Sequence, residues 1–330
     1  MKRIFFVHNH PSQFVHLDLA ELQKRYQVTE CYLPSRWINP AAIWRQVKTH
    51  DLVFGWFASW HTLLPIEFAR ILRKPSLLII GGYDVANIPE IGYGHQRGGM
   101  KGWLSRRTMR SASCLVTNSL YSRQEAARNA ALASDRINAV YHGVPDPFGS
   151  LPPGPRASMA LTVGNVDRSN LQRKGHEPFV RAAALLPDVN FVLAGNWKDD
   201  AIEYLRSIAT PNVTFTGRLT DDELFDYYRQ ASVYVQASRH EGFGLSVAEA
   251  MLAGCVPVTT GAGSLPEVTG ECGVRVTSID AADLAQAIQA GLAYTDEARL
   301  SIRNRILKEF PLKNRREHLE QLIEPLLNGH

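Results

Sequence analysis

No stretch of the 330-residue sequence approaches the roughly 20 consecutive apolar residues that span a bilayer. The opening, MKRIFFVHNH, is basic and then apolar for four positions only, which reads as a first strand and not as a secretory leader. Cysteine is sparse, and Cys31, Cys114, Cys255 and Cys272 make no C-x-x-C pair. That spacing excludes a disulfide scaffold and a zinc ribbon, and implies buried free thiols in a reducing cytoplasm. His8, His10 and His16 have neither helical-pair nor zinc-finger spacing, so no metal site is expected. No G-x-G-x-x-G follows the first strand; HNHPSQ stands there, against a nicotinamide cofactor held in the usual way. There is no repeat period, no low-complexity tail and no nucleic-acid-binding pattern.

What remains is an ordinary globular composition, 45% hydrophobic and 21% charged, in a chain long enough for two domains. The net charge of +4 is unevenly spread: residues 1–150 hold 18 Lys+Arg against 10 Asp+Glu, the rest 18 against 22. A basic first half suits an anionic acceptor or an anionic membrane surface, and equally suits plain surface composition. Arg97, Lys101, Arg106, Arg107 and Arg110 surround Trp103. A helix there would show a basic face, either solvated or in peripheral contact with acidic lipid headgroups.

Short strands alternate with helices throughout, which predicts parallel sheets in an α/β chain. The loop GGYDVANIPEIGYGHQRGG after the strand PSLLIIG has no helical period, and a loop of that length inside a domain is usually functional. PDPFGSLPPGPRAS carries four prolines and two glycines within 147–155 and reads as a hinge. The expected division is a first domain over 1–147, a linker over 148–157, a second domain over 158–310 and a terminal helix over 311–330.

The most informative stretch is 238–270, SRHEGFGLSVAEAMLAGCVPVTTGAGSLPEVTG. Ser246 and Glu249 have capping-box spacing, so a helix is expected from Ser246, ended by Gly254 and followed by a buried strand. A glycine-flanked loop feeding a buried helix start suits an anion, because the first amides lack partners inside the helix. Glu241 and Glu249 bracket that site, and carboxylates repel phosphate. They make sense if the phosphate carries hydroxyls at both ends, since a carboxylate accepts two hydrogen bonds from a diol. A nucleotide-sugar has that layout. The plainer readings are a capping Glu249 and a solvated Glu241.

Glu241 and Glu249, seven residues apart in EGFGLSVAE, with the following AMLAGCVPVTTGAGSLPEV, resemble the E-x7-E region of family 4 glycosyltransferases. The resemblance is strong over about residues 158–275 and weaker before them. It implies a GT-B fold: two facing Rossmann-like domains with parallel sheets and an interdomain cleft, acceptor on the first side, nucleotide-sugar on the second. It also implies a terminal helix packing back on the first domain, retention of configuration, and no metal or cofactor beyond a UDP- or GDP-type donor.

Carried over residue by residue, Lys174 before Gly175 matches the lysine that holds the donor's phosphates. Asn165 stands where an arginine is usual, and Arg168 or Arg173 can supply that charge. Glu241 is expected to hold donor-sugar hydroxyls and Glu249 the ribose. The backbone of Gly242, Phe243, Gly244, Leu245 and Ser246 is expected around the diphosphate, with Arg218 and Leu219 near the base. At the first domain's Tyr83-Asp84, Tyr83 takes the place of the family's histidine and leaves Asp84 as the carried-over candidate. The reading is thus a cytoplasmic, hexosyltransferase-like enzyme of polysaccharide or glycolipid assembly, with a glycan, lipid-linked or small-molecule acceptor. The alternatives are a GT-B nucleotide-sugar epimerase and a noncatalytic nucleotide-sugar-binding protein.

Overall fold

Among the described residues, twelve strands form two parallel sheets of six, and the apolar runs of the sequence are their centres. The computed structural model describes residues 1–35, 38–150 and 156–329. The first sheet takes β1 (Arg3–His8), β2 (Gln27–Tyr32), β3 (Leu52–Trp56), β4 (Ser76–Ile80), β5 (Cys114–Thr117) and β6 (Ile137–Ala139), in the order β2-β1-β3-β4-β5-β6. The second takes β7 (Ala157–Val163), β8 (Asn190–Ala194), β9 (Val213–Gly217), β10 (Ala231–Gln236), β11 (Val256–Thr260) and β12 (Val274–Val276), in the order β12-β11-β10-β7-β8-β9. All ladders are parallel. Buried on both faces by helices, β3, β4 and β11 are buried at every position, as parallel strands require.

The chain divides into Met1–Gly143 with Leu312–His330, and Val144–Pro311. The helix Leu312–Asn328 therefore belongs to the first unit. Leu319, Ile323 and Leu327 join its core, and buried Arg315 grips buried Asp18 with Nε–Oδ1 2.6 Å and Nη2–Oδ2 2.7 Å. Part of the expected linker, 151–155, lies outside the described residues.

His8 lies buried with Nε2 on Glu30 and Nδ1 on the His10 carbonyl. Among the described residues no group of three His, Cys, Asp or Glu is placed to hold a metal ion, and no helix is long and apolar enough to cross a membrane. The basic segment forms the helix Gly99–Ser111. Its Arg107 is held by Glu67, which also takes Arg70 and Ser111, so part of that positive face is neutralised.

Candidate functional site

In the second sheet the strand order reverses between β7 and β10, which is where open α/β sheets place ligands, beyond the carboxyl ends. Lys174 and Glu241 meet there. After β7 the chain runs through the helix Arg168–Arg173 to Lys174, then turns at Gly175. Gly175 has φ +71°, and a Cβ there would lie 2.4 Å from the Ala237 carbonyl oxygen. Only glycine lets this turn press against the end of β10. Lys174 Nζ consequently reaches Glu241 Oε1 at 2.7 Å, with both side chains largely buried. Gln236 Nε2 donates to the same oxygen at 2.9 Å and Ser238 Oγ at 3.1 Å. Burial pushes the Glu241 carboxyl up, but the charges of Lys174 and Arg173 outweigh it and hold the group below its ordinary value. The loop after β11 fixes the backbone: Ser264 N and Oγ both donate to the Glu241 carbonyl at 3.1 Å.

The helix that follows is Leu245–Leu252, with Gly244 at its N-cap in a left-handed conformation, φ +92°. The expected capping box is absent. The Ser246 side chain bonds the buried Tyr234 hydroxyl, and Glu249 Oε2 accepts from Tyr228 at 3.2 Å. Both side chains are thus turned from the helix backbone toward the polar interior. No side chain caps the N-terminus, and of its first turn the Val247 amide donates to the Gly244 carbonyl, which leaves the Leu245 and Ser246 amides for a ligand. The other end is saturated with cations: Arg156 donates to Ala253 O, Arg299 to Gly254 O at 3.3 Å and Arg303 to Leu252 O at 2.5 Å. Burial raises Glu249 to about 7, with Tyr228 opposing. Tyr234 feels the charges of both Glu241 and Glu249.

Residues 157–293, which contain Lys174, Glu241, Glu249 and the polar side chains that hold them, match the family model described as glycosyl transferases group 1. Over most of its length the second unit is similar to group 1 glycosyl transferases. Among curated proteins, the Escherichia coli serotype-specific mannosyltransferase WbdA is 34% identical over 137 residues, covering 38% of this chain and 17% of WbdA. The D-inositol 3-phosphate glycosyltransferase of Mycolicibacterium gilvum is 25% identical over 229 residues, 64% of this chain and 49% of that protein. Among solved structures, Anabaena HepE in complex with UDP superposes with a TM-score of 0.76 at 17% identity, over 98% of this chain and 100% of that one. Sucrose-phosphate synthase from Thermosynechococcus elongatus gives 0.75 at 19% identity, over all of both chains. The fold is GT-B, built from two Rossmann-like units.

The other predicted residues separate. Arg173 lies close enough to bias Glu241, with Nε and Nη2 held by Asn170 Oδ1 at 3.0 and 2.7 Å. Arg168 is not brought to Lys174 and Glu241. It is exposed and forks onto Asp200, because two aspartates, Asp199 and Asp200, face its helix start. Of the two arginines open to replace the one absent at Asn165, Arg173 is the one beside the site. The Asn165 carbonyl is taken by Asn170 Nδ2 and His176 Nε2, leaving its side chain exposed. Burial holds His176 down to about 4, hence neutral. Arg218 is exposed and Leu219 half-buried in the turn after β9. Asp84, in the first unit, is buried with its oxygens accepting from the Ala58 and Gly81 amides at 2.8 Å, which is a loop-fastening role.

Tyr234, Gln236 and Ser238 were not among the predicted residues. A signal existed: they alternate along SVYVQAS with Val233, Val235 and Ala237, so a strand puts all three on one face. A polar stripe in an otherwise apolar strand has to be satisfied by something, and here it carries Glu241.

Proposed function

We propose that the chain is a retaining, metal-independent glycosyltransferase that moves a sugar from a UDP- or GDP-linked donor to a glycan, lipid-linked or small-molecule acceptor. The observation that carries this reading is the Lys174–Glu241 pair at the β7/β10 switch point, beside an uncapped helix start. The match of residues 157–293 to group 1 glycosyl transferases and the UDP and glucose bound by HepE support it. In this reading the acceptor hydroxyl oxygen bonds to the anomeric carbon. The bond from that carbon to the diphosphate breaks with its electron pair on the leaving phosphate, which takes the hydroxyl proton. Lys174, Arg173 and the amides around Gly244 to Ser246 stabilise the charge growing on that phosphate more than they stabilise the bound donor. Glu241 holds the sugar hydroxyls, and Glu249 the ribose.

A thermal-shift panel of nucleoside diphosphates and their sugar conjugates tests donor binding, with a selective rise of the unfolding midpoint expected for one base. A flat response across the panel refutes the reading. Product analysis with and without acceptor then tells transfer from epimerisation.

Glu249 adds a pH dependence. Below about 7 it is protonated and one of its oxygens becomes a donor; above, the carboxylate accepts from both ribose hydroxyls. Donor affinity is therefore expected to rise with pH through about 7, and Glu249→Gln to flatten the profile in calorimetric titrations. The same group acts oppositely on stability. Its folded pKa lies above the unfolded one, so its contribution falls as pH rises from the ordinary carboxyl range to about 7. A pH rise that strengthens binding while this group weakens the fold would not come from general stabilisation.

A further inference from the structure

The long glycine-rich loop after β4 is irregular in sequence yet tightly fastened. Buried Gln96 donates to the Asp84 carbonyl at 2.7 Å and to Ser105 Oγ at 3.1 Å, and Ser105 donates to the same carbonyl at 3.0 Å. Asp84 in turn holds the Ala58 amide, just past β3, where Phe57 keeps a left-handed φ of +66°. A bulky residue adopts that conformation only where its surroundings impose it. At Gly94, φ +105°, a Cβ would fall 2.0 Å from the Ala86 carbonyl oxygen. None of this fastening is needed for a loop that merely connects two elements.

What it fixes is a surface hollow of about 320 Å³ lined by Tyr83, His95, Arg97, Met100 and Lys101 over glycine backbone. Tyr83 is 39% exposed, and its ring is held edge-on by Tyr93 at 4.9 Å and His95 at 4.7 Å between centroids. It is a braced, partly exposed aromatic ring in the lining of the hollow. The charged residues of the lining are Arg97, positioned by the Gly92 carbonyl at 2.5 Å, and exposed Lys101. Among the described residues no acidic one lines it.

We propose that this hollow binds a saccharide bearing an anionic group, phosphate or carboxylate, and serves as the acceptor subsite. The apolar face of a sugar ring packs on Tyr83, and Lys101 and Arg97 meet the charge. The acceptor role rests on the transferase reading above; the binding does not. The competing occupant is a lipid surface, since Met100 and Trp103 are 78% and 58% exposed on the adjoining helix. The concave shape favours the saccharide, as does the neutralisation of Arg107 by Glu67.

The test is calorimetric titration of the full chain with glucose 6-phosphate, mannose 1-phosphate and glucuronate, against glucose, mannose and inorganic phosphate. At least one of the anionic sugars is expected to bind at least about tenfold more tightly than its neutral counterpart and than inorganic phosphate, the weight of a charged hydrogen bond. Lys101→Glu and Tyr83→Ala should each weaken it about tenfold or more, while Lys174→Ala, remote in the chain and in the other unit, should not. Unchanged thermal midpoints and unchanged nucleoside-diphosphate shifts in the two hollow variants show that they fold. The proposal falls if no anionic sugar binds, if inorganic phosphate binds as well, if Lys101→Glu is without effect, or if Lys174→Ala abolishes the binding. It falls also if only vesicles of equal phosphatidylglycerol and phosphatidylcholine bind, in a manner that Lys101→Glu removes. Anionic-sugar binding here beside a flat nucleotide panel would leave the hollow standing and remove the transferase reading alone.

Discussion

Glu241→Ala is expected to lower sugar transfer at least about tenfold, and Lys174→Ala by a similar factor, since each deletes a charged contact of about 1.5–3 kcal/mol. The two substitutions should not add. Lys174 Nζ and Glu241 Oε1 are 2.7 Å apart, so either change also releases its partner, and the double variant should lose less than the product of the two factors. Glu241→Gln is the sharper comparison. It keeps an oxygen for Gln236 and Ser238 but gives up the charge that faces Lys174. If the carboxylate orients donor hydroxyls, Gln should recover part of what Ala loses. Initial rates at saturating donor, beside thermal midpoints for each variant, decide the matter. Wild-type-like rates in both alanine variants, with the fold intact, would refute the assignment.

Arg315→Ala is expected to cost about 3–5 kcal/mol of stability, the range for removing one partner of a buried ion pair. Asp18 would be left 2% exposed with its countercharge gone. Arg315 also donates to Asn118 Oδ1 and to the Val140 and Tyr141 carbonyls, and its guanidinium lies 5.6 Å from the centre of the Trp56 ring. The loss therefore falls on the whole seat of the terminal helix. Denaturant unfolding measures it directly. The double variant Asp18→Ala with Arg315→Ala should be more stable than Arg315→Ala alone, because no unpaired charge then stays buried. If Arg315→Ala shifted the midpoint no more than an exposed-arginine variant such as Arg110→Ala, the pair would not be what seats this helix.

The spacing of apolar runs was enough to read two successive α/β units, because a parallel strand buried on both faces must be apolar along its length. Lys174, Glu241 and the glycine loop could be singled out as well, from a helix start with a charge beside it and from the resemblance of those motifs to a known family. Local rules failed at Ser246 and Glu249, whose capping-box spacing is real but whose side chains found Tyr234 and Tyr228 instead. They failed at Arg168 as well, because nothing in the loop's own sequence announces that Asp200, 32 positions away, will claim it.

By itself, then, the sequence determined the fold class through its periodicity, and its resemblance to a known family supplied the short list of charged residues. The tertiary structure alone decided which of those charges meet. Lys174 and Glu241 are 67 positions apart, and they touch because β7 and β10 lie side by side and Gly175 lets one turn press on the other strand. Tertiary packing also turned Arg168 outward, Arg173 inward, and a polar stripe on β10 into the support for Glu241. Pairing across a sheet is set by which strands become neighbours, and that depends on the packing of the whole domain rather than on any one segment.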